Sequence, residues 1–164
     1  MPDRKSSFPP VVTPDCRLLV LGSLPGEASL AMRRYYAHPR NQFWRLMGSV
    51  IGVDLASLAY EERLAALLGI RVGLWDTVAS ATRAGSLDTA IRDARHNPLA
   101  ELTDRLPMLR AVAFNGARAA AIGRRLLAGS GVELVPLPSS SPAHAAMPVE
   151  TKEQFWLELR KFIA

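Results

Sequence analysis

Short apolar runs recur along the chain at wide spacing, and each has the length of a β-strand. They occupy residues 17–22, 71–75, 110–114 and 132–137. Segments with apolar residues at helical spacing lie between and after these runs, at residues 41–51, 60–68, 98–106, 116–127 and 150–162. Strands that alternate with helices predict an α/β fold: a three-layer α/β/α sandwich whose four-stranded, mostly parallel sheet carries helices on both faces.

The beginning of the chain differs from the rest. Residues 1–14 contain Pro9, Pro10 and Pro14, which disfavour regular structure, so we predict a flexible N-terminal arm. Residues 15–164 are then expected to form a single domain. The arm lacks the apolar centre of a signal peptide, and no apolar run approaches the roughly 18 residues needed to span a bilayer.

Composition and charge limit the classes of protein to which this chain can belong. Hydrophobic residues make up 49% of the chain and charged residues 21%, as in folded proteins. Twenty basic against fifteen acidic residues give a net charge of +5. Most of the basic residues are arginines, which suit phosphate recognition, although coding bias also produces such an excess. Cys16 is the only cysteine, so we expect no disulfide, no iron–sulfur or zinc cluster, and a reducing cytoplasmic location.

Polar residues follow each apolar run. The four runs lead into G-S-L-P-G at 22–26, Asp76, Asn115 and P-S-S-S-P-A-H at 138–144. Open parallel sheets bind ligands beyond the carboxyl ends of their strands, so one crevice is expected to collect these groups. The alternative is that they are ordinary turn residues.

The turn at 22–26 places a proline between two glycines. Such a turn can direct several backbone N–H groups to one point, where they bind anions or carbonyl oxygens. It has neither the Lys-Ser/Thr of a phosphate-binding P-loop nor the glycine spacing of a Rossmann fingerprint.

The decamer Y-Y-A-H-P-R-N-Q-F-W at 35–44 combines aromatic, polar and basic residues. Aromatic side chains beside arginines suit a nucleobase stacked next to its phosphates. Asn41 can equally cap the following helix, and His38 can be a structural hydrogen-bonding residue.

The remaining strand ends offer further polar groups. An ionised Asp76 can accept a hydrogen bond from the ring N–H of a base, or it caps a neighbouring helix. Asn115 is either a crevice residue or part of a turn. The loop at 138–144, called the serine loop below, can bind a phosphodiester through its hydroxyl and backbone N–H groups. A Ser–His hydrolase is a weaker alternative, because the chain has no G-x-S-x-G motif.

Together these segments resemble the uracil-DNA glycosylase superfamily, most closely its hypoxanthine-DNA glycosylase branch and more distantly the mismatch-specific uracil/thymine glycosylases. Motifs of that branch occur here in the same order: G-S-L-P-G at 22–26, the decamer at 35–44, G-L-W-D at 73–76, A-F-N-G at 113–116 and L-P-S-S-S-P-A-H at 137–144. Other branches carry Asp or Asn in the first motif to position the attacking water, where this chain has Leu24.

The resemblance implies an enzyme that flips a deaminated base out of duplex DNA and hydrolyses its N-glycosidic bond. Hypoxanthine is the expected target, with uracil or xanthine as further ones, and single-stranded DNA is a second expected partner. No cofactor, metal or membrane is implied, and we expect a monomer. In this interpretation Asn41 orients the water. The base is bound by Gly22, Ser23, Leu24, Tyr36, Asp76 and Asn115, and the DNA by Arg40, Ser139, Ser140, Ser141 and His144.

Two other functions are open from the sequence. The first is a mismatch-specific uracil/thymine glycosylase, which would hydrolyse the same N-glycosidic bond but act on uracil or thymine opposite guanine. A non-catalytic, flavodoxin-like nucleotide-binding module accounts for polar strand ends, but not for the decamer together with the serine loop.

Overall fold

The computed structural model describes residues 3–164, so Met1 and Pro2 of the predicted arm lie outside the described residues. Within that range the chain forms these strands: β1 Arg4–Ser6, β2 Leu18–Gly22, β3 Val72–Asp76, β4 Val78–Thr82, β5 Arg92–His96, β6 Ala111–Asn115 and β7 Glu133–Leu137. The α-helices are α1 Glu27–Met32, α2 Phe43–Ile51, α3 Tyr60–Gly69, α4 Leu99–Asp104, α5 Ala117–Leu126, α6 Val149–Trp156 and α7 Arg160–Ile163. Short 3₁₀ helices occupy Leu55–Ser57, Asp88–Ala90 and Leu157–Leu159.

The central sheet has four parallel strands in the order β3-β2-β6-β7. Leu18 of β2 pairs with Val72 on one side and with Ala111 on the other. Each of these strands begins and ends within one residue of an apolar run predicted from sequence. The predicted four-stranded parallel sheet is therefore confirmed.

Helices cover both faces of this sheet, because successive strand residues point to opposite sides. Leu18 and Val20 pack in one core with α2, α3 and α6. Leu19 and Leu21 pack in a second core with α4 and α5. The three-layer arrangement is thus confirmed, and none of the helices within residues 3–164 has the length and apolarity needed to cross a bilayer.

A second, antiparallel sheet in the order β1-β4-β5 was not predicted. Its strands lack the apolar runs of the central sheet: β4 reads V-A-S-A-T and the largely exposed β5 reads R-D-A-R-H. Val78, Ala81 and Ile91 pack beside Ile122 of α5 in a small third core. This packing, rather than local pattern, determines the second sheet.

The expectation that residues 1–14 lack regular structure is wrong for Arg4–Ser6, which pair with Ser80–Thr82 of β4. Further along, the N–H and C=O of Val11 exchange hydrogen bonds of 2.9 Å with Leu74. Edge positions tolerate the intervening prolines, because a proline there leaves no ladder hydrogen bond unmade. The segment thus covers the outer edge of β3.

Candidate active site

A cavity of about 130 Å³ opens at the carboxyl ends of the central strands. Many of its lining residues were predicted from sequence: Gly22, Ser23, Leu24, Tyr36, Asn41, Asp76, Asn115, Ser139, Ser140 and Ser141. Arg40 and His144 do not line it and are exposed outside it. The strand ends do converge on one crevice, because parallel strands in register end at one edge of the sheet.

The side chains of Asp76 and Tyr36 both approach the backbone at Gly22. A Cβ at this position would be 2.8 Å from Oδ1 of Asp76 and 3.1 Å from the hydroxyl of Tyr36. Asp76 is also the register partner of Gly22 on β3. A side chain at position 22 would therefore displace both groups, so glycine is required by their close approach.

Tyr36 is held in an unusual conformation beside this point. Its backbone has a φ of 54°, in the left-handed region. Its ring stacks on Phe43 with centroids 3.8 Å apart, and its carbonyl accepts a 3.1 Å hydrogen bond from the indole of Trp44. Because Phe43 covers one face of the ring, a ligand can stack only on the other. Burial, with Asp76 nearby, raises the pKa of Tyr36, so the hydroxyl stays neutral.

Asp76 is 3% exposed, and its Oδ2 is buried without a hydrogen-bond partner among residues 3–164. Burial, and secondarily the charge of Asp88, raises its pKa well above the usual range, with Arg83 opposing. The raised pKa shifts the equilibrium toward the neutral acid, whereas the sequence analysis considered the ionised carboxylate. The alternative prediction that Asp76 caps a neighbouring helix is wrong, because no backbone N–H in the described chain donates to its carboxylate.

Asn41 accepts two hydrogen bonds on Oδ1, from the Phe43 N–H at 3.0 Å and from the Ser140 hydroxyl at 2.8 Å. The Phe43 bond identifies the oxygen of the amide, since a backbone N–H needs an acceptor. It also stabilises the start of α2, but Gln42 is the N-cap residue of that helix, so Asn41 acts from the position before the cap rather than as the predicted N-cap. The Nδ2 group has no acceptor within residues 3–164, and Asn41 therefore presents a donor to the cavity.

Ser140 connects Asn41 to Asn115. The Asn115 amide donates to the Ser140 hydroxyl at 2.9 Å, and the Ser140 N–H donates back to Oδ1 of Asn115 at 2.9 Å. The Ser140 carbonyl accepts from the Gln42 N–H at 2.9 Å, and the residue is 1% exposed. The N–H, carbonyl and hydroxyl groups of Ser140 thus all form hydrogen bonds within the protein. This corrects the prediction that Ser140 binds DNA: the loop turns this serine inward and leaves Ser139 and Ser141 half-buried.

Two carbonyl groups of the turn at 22–26 accept hydrogen bonds from the segment that follows β3. The Thr77 N–H donates to the Gly22 carbonyl at 2.8 Å, and the Val78 N–H donates to the Ser23 carbonyl at 2.9 Å. The N–H groups of Ser23 and Leu24 have no acceptor in the described chain. Both residues are buried and line the cavity. The turn therefore offers two adjacent backbone donors to a ligand.

Two residues that support this turn were missed as functional residues by the sequence analysis. Arg83 is 1% exposed and donates to the carbonyls of Leu24 and Pro25. Asp88 accepts a 2.6 Å hydrogen bond from the Ser23 hydroxyl. No motif marks either residue, because both act through contacts with a segment about sixty residues earlier.

The rim of the cavity carries the remaining candidates. His38 lines the cavity and accepts on Nδ1 from the Arg40 N–H at 3.1 Å, which fits the structural alternative. Arg33 and Arg40 are exposed residues of the segment that carries Tyr36 and Asn41. Among the described residues, no three His, Cys, Asp or Glu side chains cluster as metal ligands.

Comparison with known proteins agrees with this geometry. The model of the uracil DNA glycosylase superfamily matches residues 9–160. A hypoxanthine DNA glycosylase from Methanosarcina barkeri is 40% identical over 158 residues, which are 96% of this chain and 99% of the relative. One from Methanosarcina acetivorans is 42% identical over 140 residues, which are 85% of this chain and 88% of the relative.

A solved structure matches as well. The solution NMR structure of a candidate uracil DNA glycosylase from Methanosarcina acetivorans superimposes with a TM-score of 0.88 at 38% identity, covering 98% of this chain and 99% of that one. The family match spans most of the sequence, and both relatives align over most of their length. The chain therefore belongs to the uracil DNA glycosylase superfamily, as its motifs predict.

Proposed function

We propose that this protein is a DNA glycosylase that releases hypoxanthine, and with it other deaminated bases, from DNA by hydrolysing the N-glycosidic bond. The observation that carries the proposal is a cavity in which unpartnered donors, the N–H groups of Ser23 and Leu24 and the amide of Asn41, lie beside Tyr36. The names of the two relatives at 40–42% identity support the choice of hypoxanthine.

The target base must leave the duplex to reach this cavity. Flipping a nucleotide costs a few kcal/mol and costs least for a mispaired base, and deaminated bases are mispaired by origin. Exposed Arg40 and His144, together with half-buried Ser139 and Ser141, are our candidates for DNA contacts around the opening. Duplex DNA is thus the proposed substrate, with single-stranded DNA as a second.

Bond cleavage places positive charge on the sugar and negative charge on the leaving base. Donors aimed at the base stabilise that negative charge and act more strongly in a site that excludes water. The Ser23 and Leu24 N–H groups supply such donors for an oxo group of the base. The face of Tyr36 that Phe43 leaves uncovered supplies the stacking surface.

Asn41 holds the water through its Nδ2 group, because both acceptor positions of its oxygen are occupied. A water that accepts this hydrogen bond keeps another lone pair for the sugar carbon. Its oxygen bonds to that carbon, the electron pair of the glycosidic bond goes to the base, and the proton of the water follows to the base or to solvent. Asn41 positions this nucleophile and removes no proton from it.

Asp76 binds the base as a neutral acid, with one O–H donor and one acceptor oxygen. These two groups complement the adjacent N–H and C=O of hypoxanthine, uracil or xanthine. They also complement the ring nitrogen and amino group of adenine. Discrimination against normal bases therefore comes from the Ser23 and Leu24 donors, which would face the amino group of adenine, and from the difficulty of flipping a paired base.

The test is single-turnover base release from duplexes that carry hypoxanthine, xanthine or uracil, with adenine and guanine duplexes as controls. We expect release of hypoxanthine and none of the normal bases. Release confined to uracil or thymine opposite guanine would instead favour a mismatch-specific enzyme. Duplex binding without release of any base would favour a non-catalytic module.

A further inference from the structure

Each backbone donor of the turn at 22–26 is directed by the carbonyl that shares its peptide group. In a planar trans peptide the C=O and N–H point in opposite directions, and no cis peptide occurs in the described residues. The bond from Thr77 to the Gly22 carbonyl thus directs the Ser23 N–H away from β4. The bond from Val78 to the Ser23 carbonyl does the same for the Leu24 N–H.

Arg83 completes this arrangement at the far end of the turn. Its Nη2 donates to the Pro25 carbonyl, which shares a peptide group with the Gly26 N–H. Its Nη1 donates to the Leu24 carbonyl at 3.3 Å. The Gly26 N–H points away from Arg83, has no acceptor within residues 3–164, and belongs to a residue that lines the cavity. One guanidinium therefore fixes the half of the turn that β3 and β4 do not reach.

The surroundings of Arg83 are unusual for a charged residue. It is 1% exposed, and no carboxylate of the described chain forms an ion pair with it. Its hydrogen-bond acceptors are three backbone carbonyls, those of Leu24, Pro25 and Gly85. Burying a cation is costly unless a nearby group compensates for it. Burial lowers the pKa of Arg83, and the charges of Asp88 and Glu27 oppose that fall. A base that becomes negatively charged on the opposite side of the turn would compensate further.

We propose that Arg83 is a positioning residue, which holds the Pro25 carbonyl so that the Gly26 N–H, a third backbone donor beside those of Ser23 and Leu24, faces the oxo group of the departing base. This inference rests on the proposed glycosylase function. Arg83 itself does not touch the base. Arg83 therefore affects how strongly the turn prefers a base with an oxo group over a base that carries a weaker hydrogen-bond acceptor at the same position.

The test compares deoxyinosine in duplex DNA with its analogue in which sulfur replaces the 6-oxo oxygen. Sulfur accepts N–H hydrogen bonds weakly, so the ratio of single-turnover rates for the two substrates reports the donors of the turn. In Arg83→Met we expect this ratio to fall about tenfold, the equivalent of ~1.4 kcal/mol. Taking the ratio within each variant cancels a loss of active protein.

Arg160→Met is the matched control. Arg160 also donates to two backbone carbonyls, at 2.8 Å to Ser49 and 3.4 Å to Val50, but it does not line the cavity. Its oxo/thio ratio should equal that of the unaltered protein. Arg83→Lys is the second variant if Arg83→Met does not fold, because lysine keeps the charge but cannot hold both carbonyls in the same fork.

The outcomes separate the two proposals. An unchanged oxo/thio ratio in Arg83→Met, or in Arg83→Lys where only that variant folds, overturns the role of Arg83. A fall of the ratio in Arg160→Met of the same size also overturns it, because any lost backbone contact would then produce the effect. If the unaltered protein releases no deaminated base from any duplex, the proposed function itself fails.

Discussion

The carboxyl group of Asp76 and the hydroxyl group of Tyr36 approach the same backbone position, Gly22, where a Cβ would be 2.8 Å from the first and 3.1 Å from the second. Asp76 Oδ2 and the Tyr36 hydroxyl are both buried without a partner in the described chain. Leaving a buried polar group unpaired costs about 1–3 kcal/mol. Both side chains line the cavity, and in the proposed function a bound base is the partner of each.

The shared approach to Gly22 leads to a prediction for Gly22→Ala. The added Cβ would lie 2.8 Å from Asp76 Oδ1, so Asp76 and Tyr36 must move away from their base-binding positions. We expect excision to fall about 100-fold, the effect of misplacing groups by about 1 Å, measured in single-turnover assays. Gly69→Ala is the control, since a Cβ at that position would meet no heavy atom within 4 Å. Equal activity of the two variants would contradict the prediction.

Asp76→Asn should change the pH dependence of stability. The folded protein raises the pKa of Asp76, so it binds more protons than the unfolded chain, and stability falls as pH rises. Asparagine cannot ionise. We therefore expect Asp76→Asn to gain stability relative to the unaltered protein from the usual carboxyl pKa of about 4 up to the raised value.

Denaturant unfolding at several pH values measures this difference, with the exposed Asp54→Asn as control. The groups that shift the pKa of Asp76 are Asp88 and Arg83, and the hydroxyl of Tyr36 lies beside it. A constant stability difference between Asp76→Asn and the unaltered protein across pH would show that Asp76 is ionised in the fold.

Asn41→Ala separates the contribution of the side chain to the start of α2 from its proposed catalytic role. The lost hydrogen bond to the Phe43 N–H should cost about 1 kcal/mol of stability. The lost donor to water should slow excision by about 10²–10³-fold, the scale for one preorganised donor. Thermal unfolding and single-turnover release measure the two effects. Near-normal excision would contradict the catalytic role of Asn41 and leave only its stabilisation of the start of α2.

The three serines of the loop should respond differently to alanine substitution. Ser140→Ala removes the link between Asn41 and Asn115, so it should slow excision while duplex affinity stays unchanged. Ser139→Ala combined with Ser141→Ala should weaken binding to any duplex, because both residues lie at the surface of the loop. Fluorescence anisotropy with a non-cleavable duplex measures affinity. A loss of affinity in Ser140→Ala alone would reverse our assignment.

The amino-acid sequence by itself determined the central sheet and the place of the site. A parallel strand covered on both faces must be apolar at successive positions, so β2, β3 and β6 are visible as short apolar runs. Because such strands end at one edge, the polar residues that follow them had to converge. Asp76 and Asn115 could therefore be assigned to one cavity from the strand pattern, whereas Tyr36 and Asn41 were assigned to the site by the resemblance to the superfamily.

Only the tertiary structure decided the second sheet, the support of the turn and the raised pKa of Asp76. Strand β5 is polar and largely exposed, so its pairing leaves no local pattern. Arg83 acts on carbonyls 58 and 59 residues away, and its neighbours in sequence carry no sign of that contact. The raised pKa of Asp76 comes from burial and from the charge of Asp88, and both are properties of packing in three dimensions.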